Sequence, residues 1–103
     1  MRGVVVIPAG TPAFGRAVLR VRLLDVTLAD APAVTLAEHV GEFSRDYTAE
    51  QRVPFDFGLA DGSMLSVAAH VDVSGDGQVR HGDLVTTSAV EPSDGVVVRV
   101  EPV

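Results

Sequence analysis

Alternation of apolar and polar side chains runs through most of this chain and constrains its fold more than any other feature. Between residues 17 and 26, Ala17, Leu19, Val21 and Leu23 recur at every second position, while Arg20 and Arg22 fall on the other side. A period of two is typical of a strand with one face on a core and one face in solvent. The sequence therefore predicts an all-β protein.

The same pattern predicts seven short, mostly antiparallel strands. They cover residues 4–7, 17–26, 34–40, 52–59, 64–73, 84–90 and 96–100. Gly, Pro and Asp separate them, which is typical of a sandwich or barrel. A chain of 103 residues is long enough for one hydrophobic core and too short for two. We expect a single β-sandwich domain over residues 1–103, immunoglobulin- or transthyretin-like in architecture.

The sequence also predicts how two central segments pack. In the strand at residues 34–40, Val34, Leu36 and Val40 form the apolar face, and residues 41–51 are predicted to be an irregular connection. In the strand at residues 52–59, Pro54 has no amide to donate to a neighbouring strand. We therefore expect this strand at a sheet edge.

The second half of the chain predicts a hairpin, and its last apolar run could pair with the first run of the chain. Residues 64–73 and 78–80 flank a Gly- and Asp-containing turn, as the two arms of a β-hairpin would. The runs at residues 4–7 and 96–100 have little charge to discourage pairing. We expect these two runs to pair inside the domain; the alternative is strand addition to a peptide or to a second copy.

Charge and composition exclude several classes of function. The net charge is −6, all eight basic residues are Arg, and aromatic residues make up only 5%, so we expect no nucleic-acid partner. No apolar run approaches the length of a transmembrane helix, and the first residues do not predict an export signal. We expect a cytoplasmic location for the sequence as it stands, and the cell envelope if a signal segment precedes it.

No catalytic, cofactor-binding or metal-binding residue is predicted, because no nucleophile, base or ligand set has the required spacing. The alternative hypothesis is a metal-dependent or hydrolytic enzyme built on one acidic segment, formed by His70, Asp72, Asp76, His81 and Asp83. Adjacent Glu38 and His39 should point to opposite faces of their strand, so they do not form a pair. Asp25, Asp30 and Pro32 are read as turn-forming residues.

Three motifs, in order along the chain, carry a family resemblance. They are the run at residues 21–33, the dipeptide Ala37-Glu38, and the run at residues 51–57. In this order they resemble the YbaY-type lipoprotein family, which is related to the YscW pilotins. The resemblance covers most of the chain and is weakest before residue 18 and after residue 90. This sequence differs from the family in one respect, since it has no lipobox cysteine.

The resemblance implies a small envelope-associated β-sandwich. YscW-like pilotins escort secretin subunits of type III secretion systems, so the implied function is a non-catalytic binding or assembly module. Such a module would hold a protein partner through a strand edge or a sandwich face. The resemblance implies no catalytic residue.

Overall fold

Two β-sheets face each other in the computed structural model, which describes residues 1–27, 31–58 and 65–103. The strands are β1 (Arg2–Ile7), β2 (Phe14–Asp25), β3 (Val34–Arg45), β4 (Gln51–Asp56), β5 (Leu65–Asp72), β6 (Leu84–Val85), β7 (Val96–Arg99) and β8 (Glu101–Pro102). One sheet has the order β4-β1-β7 and the other β3-β2-β5-β6-β8. The predicted all-β fold is confirmed, with eight strands among the described residues.

The core lies between the sheets and is built from alternate side chains, as the sequence pattern predicts. In β2 the register opposes Leu19 to Val71 and Leu23 to Val67 of β5, and all four are at most 1% exposed. Arg20 and Arg22 lie on the outer face of the same strand. From the other sheet, β1 contributes Val5 and Ile7, which are fully buried.

The first and last long apolar runs pair with each other, which confirms the prediction of pairing inside the domain. β1 and β7 are parallel, with Val5 beside Val98, and the other strand pairs are antiparallel. Gly3 is required here, because a Cβ at this position would lie 2.6 Å from both the Phe55 ring and the Val96 side chain. The absence of a side chain therefore lets β1, β4 and β7 approach closely.

The two sides of the sandwich differ. On one side the chain passes from β7 directly into β8 of the other sheet, and buried Val100 donates its amide to the Val6 carbonyl at 3.2 Å. On the other side lie the edge strands β3 and β4, joined by residues 46–50. The edge position predicted from Pro54 is confirmed, since β4 pairs only with β1 among the described strands.

The predicted packing of β3 is wrong in two respects. Val34, Leu36 and Val40 are 61%, 48% and 52% exposed, so the face expected to be buried points outward. The inward positions are those aligned with buried residues of β2, among them Ala37 opposite Leu23. In addition, residues 41–45 are not irregular, because they extend β3 to Arg45.

The predicted hairpin is also partly wrong. β5 is present, but the strand that follows it and pairs with it is β6, with Val71 opposite Leu84, and residues 78–80 form no strand. Of the strand predicted at 84–90, only Leu84–Val85 is a strand, although the Thr86 amide and the Val90 carbonyl also form hydrogen bonds with β5. The predicted ends at Leu59 and Met64 lie outside the described residues. The described part of the chain contains no helix that is long and apolar enough to cross a membrane.

Candidate binding surface

The edge of β3 that faces away from β2, here called the β3 edge, has no neighbouring strand among the described residues. β3 is twelve residues long and is the outermost strand of its sheet. It contains no Pro and, before Arg45, no Lys or Arg. A long edge strand without these residues presents amide and carbonyl groups to other chains. Near the end of β3, the Ser44 carbonyl already accepts a hydrogen bond from Gln51 Nε2 at 3.1 Å.

The other described edges carry features that discourage pairing. β4 has Pro54 at its centre, flanked by Arg52 and Asp56, and β7 is four residues long and ends at Arg99. β8 has only two residues, one of which is Pro102. Short strands, charged side chains and Pro are the usual means of protecting an edge. β3 itself carries Glu38 and Glu42, and its register with β2 is irregular at Leu36, so its edge differs from the others in its length and in the absence of Pro.

Charged and apolar side chains alternate on the outer face of β3. Glu38 accepts a hydrogen bond from Arg22 Nε at 2.8 Å, and Glu42 lies 3.4 Å from Arg16 Nη1. Val40 lies between the two carboxylates along the strand. Both ion pairs are well exposed, so each contributes little to stability.

His39 connects β3 to β4 across the gap between the sheets. Its Nδ1 accepts a hydrogen bond from the Asp56 amide at 3.4 Å, and its ring lies edge-on to Phe55 at a centroid distance of 6.4 Å. Glu38 points outward and His39 inward, which confirms that the two cannot act as a pair. His39 also borders a largely apolar crevice of about 560 Å³, lined by Arg2, Gly3, Val4, His39, Pro54, Phe55, Asp56 and Gly95.

Part of the acidic segment singled out in the sequence converges in the structure. Ligand atoms of His70, Asp72 and Asp83 lie within 4.8 Å of one another. Asp76 and His81 are not members of this group, so the structure brings together three of the five residues of the alternative hypothesis. All three could in principle offer an atom to a cation.

Asp72 is fully buried, and both of its oxygens already accept hydrogen bonds. Oδ1 accepts from the Ser74 hydroxyl and the Gly75 amide, and Oδ2 accepts from the Gly77 amide and Arg20 Nε. Burial alone would raise the pKa of Asp72, but the amides of Gly77 and Gly75 help to hold that pKa below its ordinary value. The carboxylate thus folds the following turn onto the outer face of the sheet.

Asp83 has a similar role from the other end of the same loop. Its Oδ1 accepts from the amides of Val73 and Ser74, at 3.0 and 3.3 Å, and its Oδ2 from the Arg80 amide at 3.1 Å. His70 Nε2 lies 2.9 Å from the same Oδ2. Because a cation would compete with these donors, the arrangement is best explained as the anchor of residues 73–83.

Asp76 lies at the exposed tip of the loop. A side-chain hydrogen bond from Arg80, with a second from the Gln78 amide, lowers the pKa of Asp76 to about 2. Asp76 also accepts a hydrogen bond from the Ser74 hydroxyl. Its contacts are those of a turn residue, as the Gly-rich sequence around it predicts.

Two further polar groups serve the fold. Asp25 forms the predicted Asx turn, with its Oδ1 accepting from the Thr27 amide at 2.9 Å, whereas Asp30 lies outside the described residues. The role of Arg45 was not predicted from the sequence: it is 1% exposed and donates to the Thr11 carbonyl at 2.9 and 3.2 Å. Arg45 thereby fixes the end of β3 to the loop after β1.

Comparison with known proteins agrees with the sandwich architecture. A solved structure described as an alternative pilotin from the type II secretion system of Vibrio cholerae is similar, with a TM-score of 0.59 and 26% sequence identity. The similarity covers 100% of this chain and 96% of that one. No curated protein matches the sequence. The fold is therefore that of a pilotin-like β-sandwich.

The sequence identifies the family more directly. Residues 1–86 match the family model described as the type III secretion system lipoprotein chaperone (YscW). This match covers most of the chain and confirms the resemblance found in its motifs. The chain belongs to the YscW family.

Proposed function

We propose that this protein is a non-catalytic chaperone module that holds a protein partner, a secretin subunit of a secretion system, along the β3 edge. The observation that carries the proposal is the twelve-residue open edge, with exposed Leu36 and Val40 beside it. An extended segment gains affinity at such an edge from main-chain hydrogen bonds and specificity from alternate side chains. The family and the pilotin-like fold support a partner from a secretion system.

The acidic segment supports the non-catalytic part of the proposal. A general base or a metal ligand needs an available lone pair, yet the oxygens of Asp72 and Asp83 accept backbone amides that hold their own loop. His70 is engaged with Asp83. These contacts account for His70, Asp72 and Asp83 without a substrate or an ion.

The test uses the purified chain and overlapping peptides that cover the secretin subunit of its source organism. We expect calorimetry to detect saturable binding of at least one peptide. The double variant Leu36→Arg/Val40→Arg should lose most of this binding. The matched control Val79→Arg/Val97→Arg, which changes two exposed valines elsewhere, should retain it.

Two results would contradict the proposal. The first is absence of binding to every secretin peptide and to the intact subunit. The second is equal loss of binding in the β3 variant and in the control variant, since that would move the surface away from β3. Circular dichroism of each variant distinguishes lost binding from lost folding.

A further inference from the structure

We infer that the β3 edge takes an extended basic segment, in which an apolar residue stands between two Lys or Arg at alternate positions. This inference rests on the proposed function and specifies the chemistry of the partner. It follows from three features of the described residues: the charges beside the edge, the mismatch of β3 with a second copy of itself, and the crevice next to His39.

The charges on the outer face define the alternate positions of the partner. Glu38, Val40 and Glu42 succeed one another on that face. The side chains of Glu38 and Glu42 are 36% and 61% exposed. In an added strand, directly opposite side chains lie about 4.5–5.5 Å away, so a basic, an apolar and a basic residue are the complementary set.

The existing ion pairs leave room for this contact. Arg22 and Arg16 approach the two carboxylates from β2, which lies on one side of β3, whereas an added strand lies on the other side. A carboxylate accepts several hydrogen bonds at once. The net charge of −6 also attracts a basic segment from a distance.

A second copy of this chain fits the edge less well. Two antiparallel β3 strands related by a two-fold axis at Glu38 or Glu42 would set that residue against its own copy. An axis at Val40 would set Glu38 against Glu42 of the other copy. Like charges directly opposite each other are destabilising. Registers centred on His39 or Gly41 avoid this but leave each carboxylate opposite an apolar or small residue.

The inner face of the added strand meets different surroundings. A side chain opposite His39 lies beside the crevice of about 560 Å³ whose walls include Pro54 and Phe55. Such a largely apolar site favours an apolar side chain. The expected segment therefore has five positions in the order basic, apolar, apolar, apolar, basic. Its second and fourth side chains face inward, and the other three face outward.

The probe is the capped peptide Thr-Lys-Leu-Val-Leu-Lys-Thr, whose pattern reads the same in both directions and so suits a parallel or an antiparallel strand. Its control replaces both Lys by Glu. Two further peptides carry N-methyl groups on one or the other alternate set of backbone amides. Binding to the full chain is measured by fluorescence anisotropy at low ionic strength, because salt screens exposed charges.

We expect the Lys peptide to bind, and the Glu peptide to bind at least about tenfold more weakly, because two attractive charge contacts become repulsive. One N-methylated peptide should lose binding while the other retains it, since only one set of amides faces β3. Glu38→Gln/Glu42→Gln should weaken the Lys peptide by roughly fivefold to tenfold. Glu91→Gln/Glu101→Gln, with the same change in net charge, should weaken it much less, because only the long-range attraction changes.

Equal affinity for the Lys and Glu peptides, failure of the Lys peptide to bind, or tolerance of both N-methylated peptides would overturn the inference. Concentration-dependent dimerisation that the Lys peptide competes away would favour a second copy instead. If a secretin peptide binds but ignores Glu38→Gln/Glu42→Gln, the inference fails and the proposed function stands. If only the designed Lys peptide binds, the proposed function fails and the chemistry of the edge stands.

Discussion

The β3 edge and the loop at residues 73–83, which connects β5 and β6 of the same sheet, differ in how their backbone polar groups are hydrogen-bonded. In the loop, the amides of Ser74, Gly75 and Gly77 donate to the buried carboxylates of Asp72 and Asp83. Along β3, one row of backbone groups pairs with β2, and the described residues provide no strand for the other row. Polar groups that are hydrogen-bonded to each other within the loop serve the fold. Backbone groups without a neighbouring strand are available for binding.

The largest effect that separates the two regions is expected in the loop. Asp72→Ala removes four hydrogen bonds and leaves the Gly75 and Gly77 amides and Arg20 without their acceptor. We expect a loss of about 3 kcal/mol in the free energy of unfolding, measured by urea denaturation. Asp94→Ala, at an exposed acceptor of one backbone amide, is the control and should cost about 1 kcal/mol or less. A similar cost at both positions would mean that Asp72 does not anchor the loop.

Acid should remove the contribution of Asp72 to the stability of the loop. The folded-state pKa of Asp72 is lowered, so its contribution to stability is complete above the ordinary value of 3.8 and is lost as the pH falls through the lower folded value. Between about pH 5 and pH 2, wild type should therefore lose more unfolding free energy than Asp72→Asn. Parallel pH profiles for the two proteins would contradict this assignment.

The smallest effect on stability is expected at the β3 edge. Val40→Thr changes a side chain that is 52% exposed, and Thr is as suitable for a strand as Val. We expect a change within about 0.5 kcal/mol in unfolding free energy, together with weaker partner binding by calorimetry. Val71→Thr, at a fully buried position of β5, is the opposite case and should be clearly destabilising. A large loss of stability in Val40→Thr would show that the outer face of β3 serves the fold.

Sequence periodicity predicted the parts of the fold that depend on simple alternation. The inward face of β2 followed from it, whereas the edge position of β4 followed from the missing amide of Pro54, and the pairing of the terminal runs from their low charge. It was wrong for β3, because pairing with β2 buries the small Ala37 and leaves the larger Val40 outside. The family resemblance was confirmed over residues 1–86.

The candidate site was harder to predict, because its features are tertiary. The sequence of residues 78–80 suggests a strand, but the loop that contains them is held by hydrogen bonds to Asp72 and Asp83. In the sequence, the acidic residues resembled a cation site. Only the hydrogen bonds that they accept in the structure show that they anchor the loop. An open edge has no local signature, since it depends on which strands lie beside β3.

Amide hydrogen exchange of the free and partner-bound chain tests the central claim most directly. On binding, amides within Val34–Arg45 should gain protection on one alternate set, because only one set faces the added strand. The loop at residues 73–83 should exchange at the same rate in both states. Protection gained at the loop, at β4 or at β7, with β3 unchanged, would contradict the assignment of the β3 edge as the binding surface.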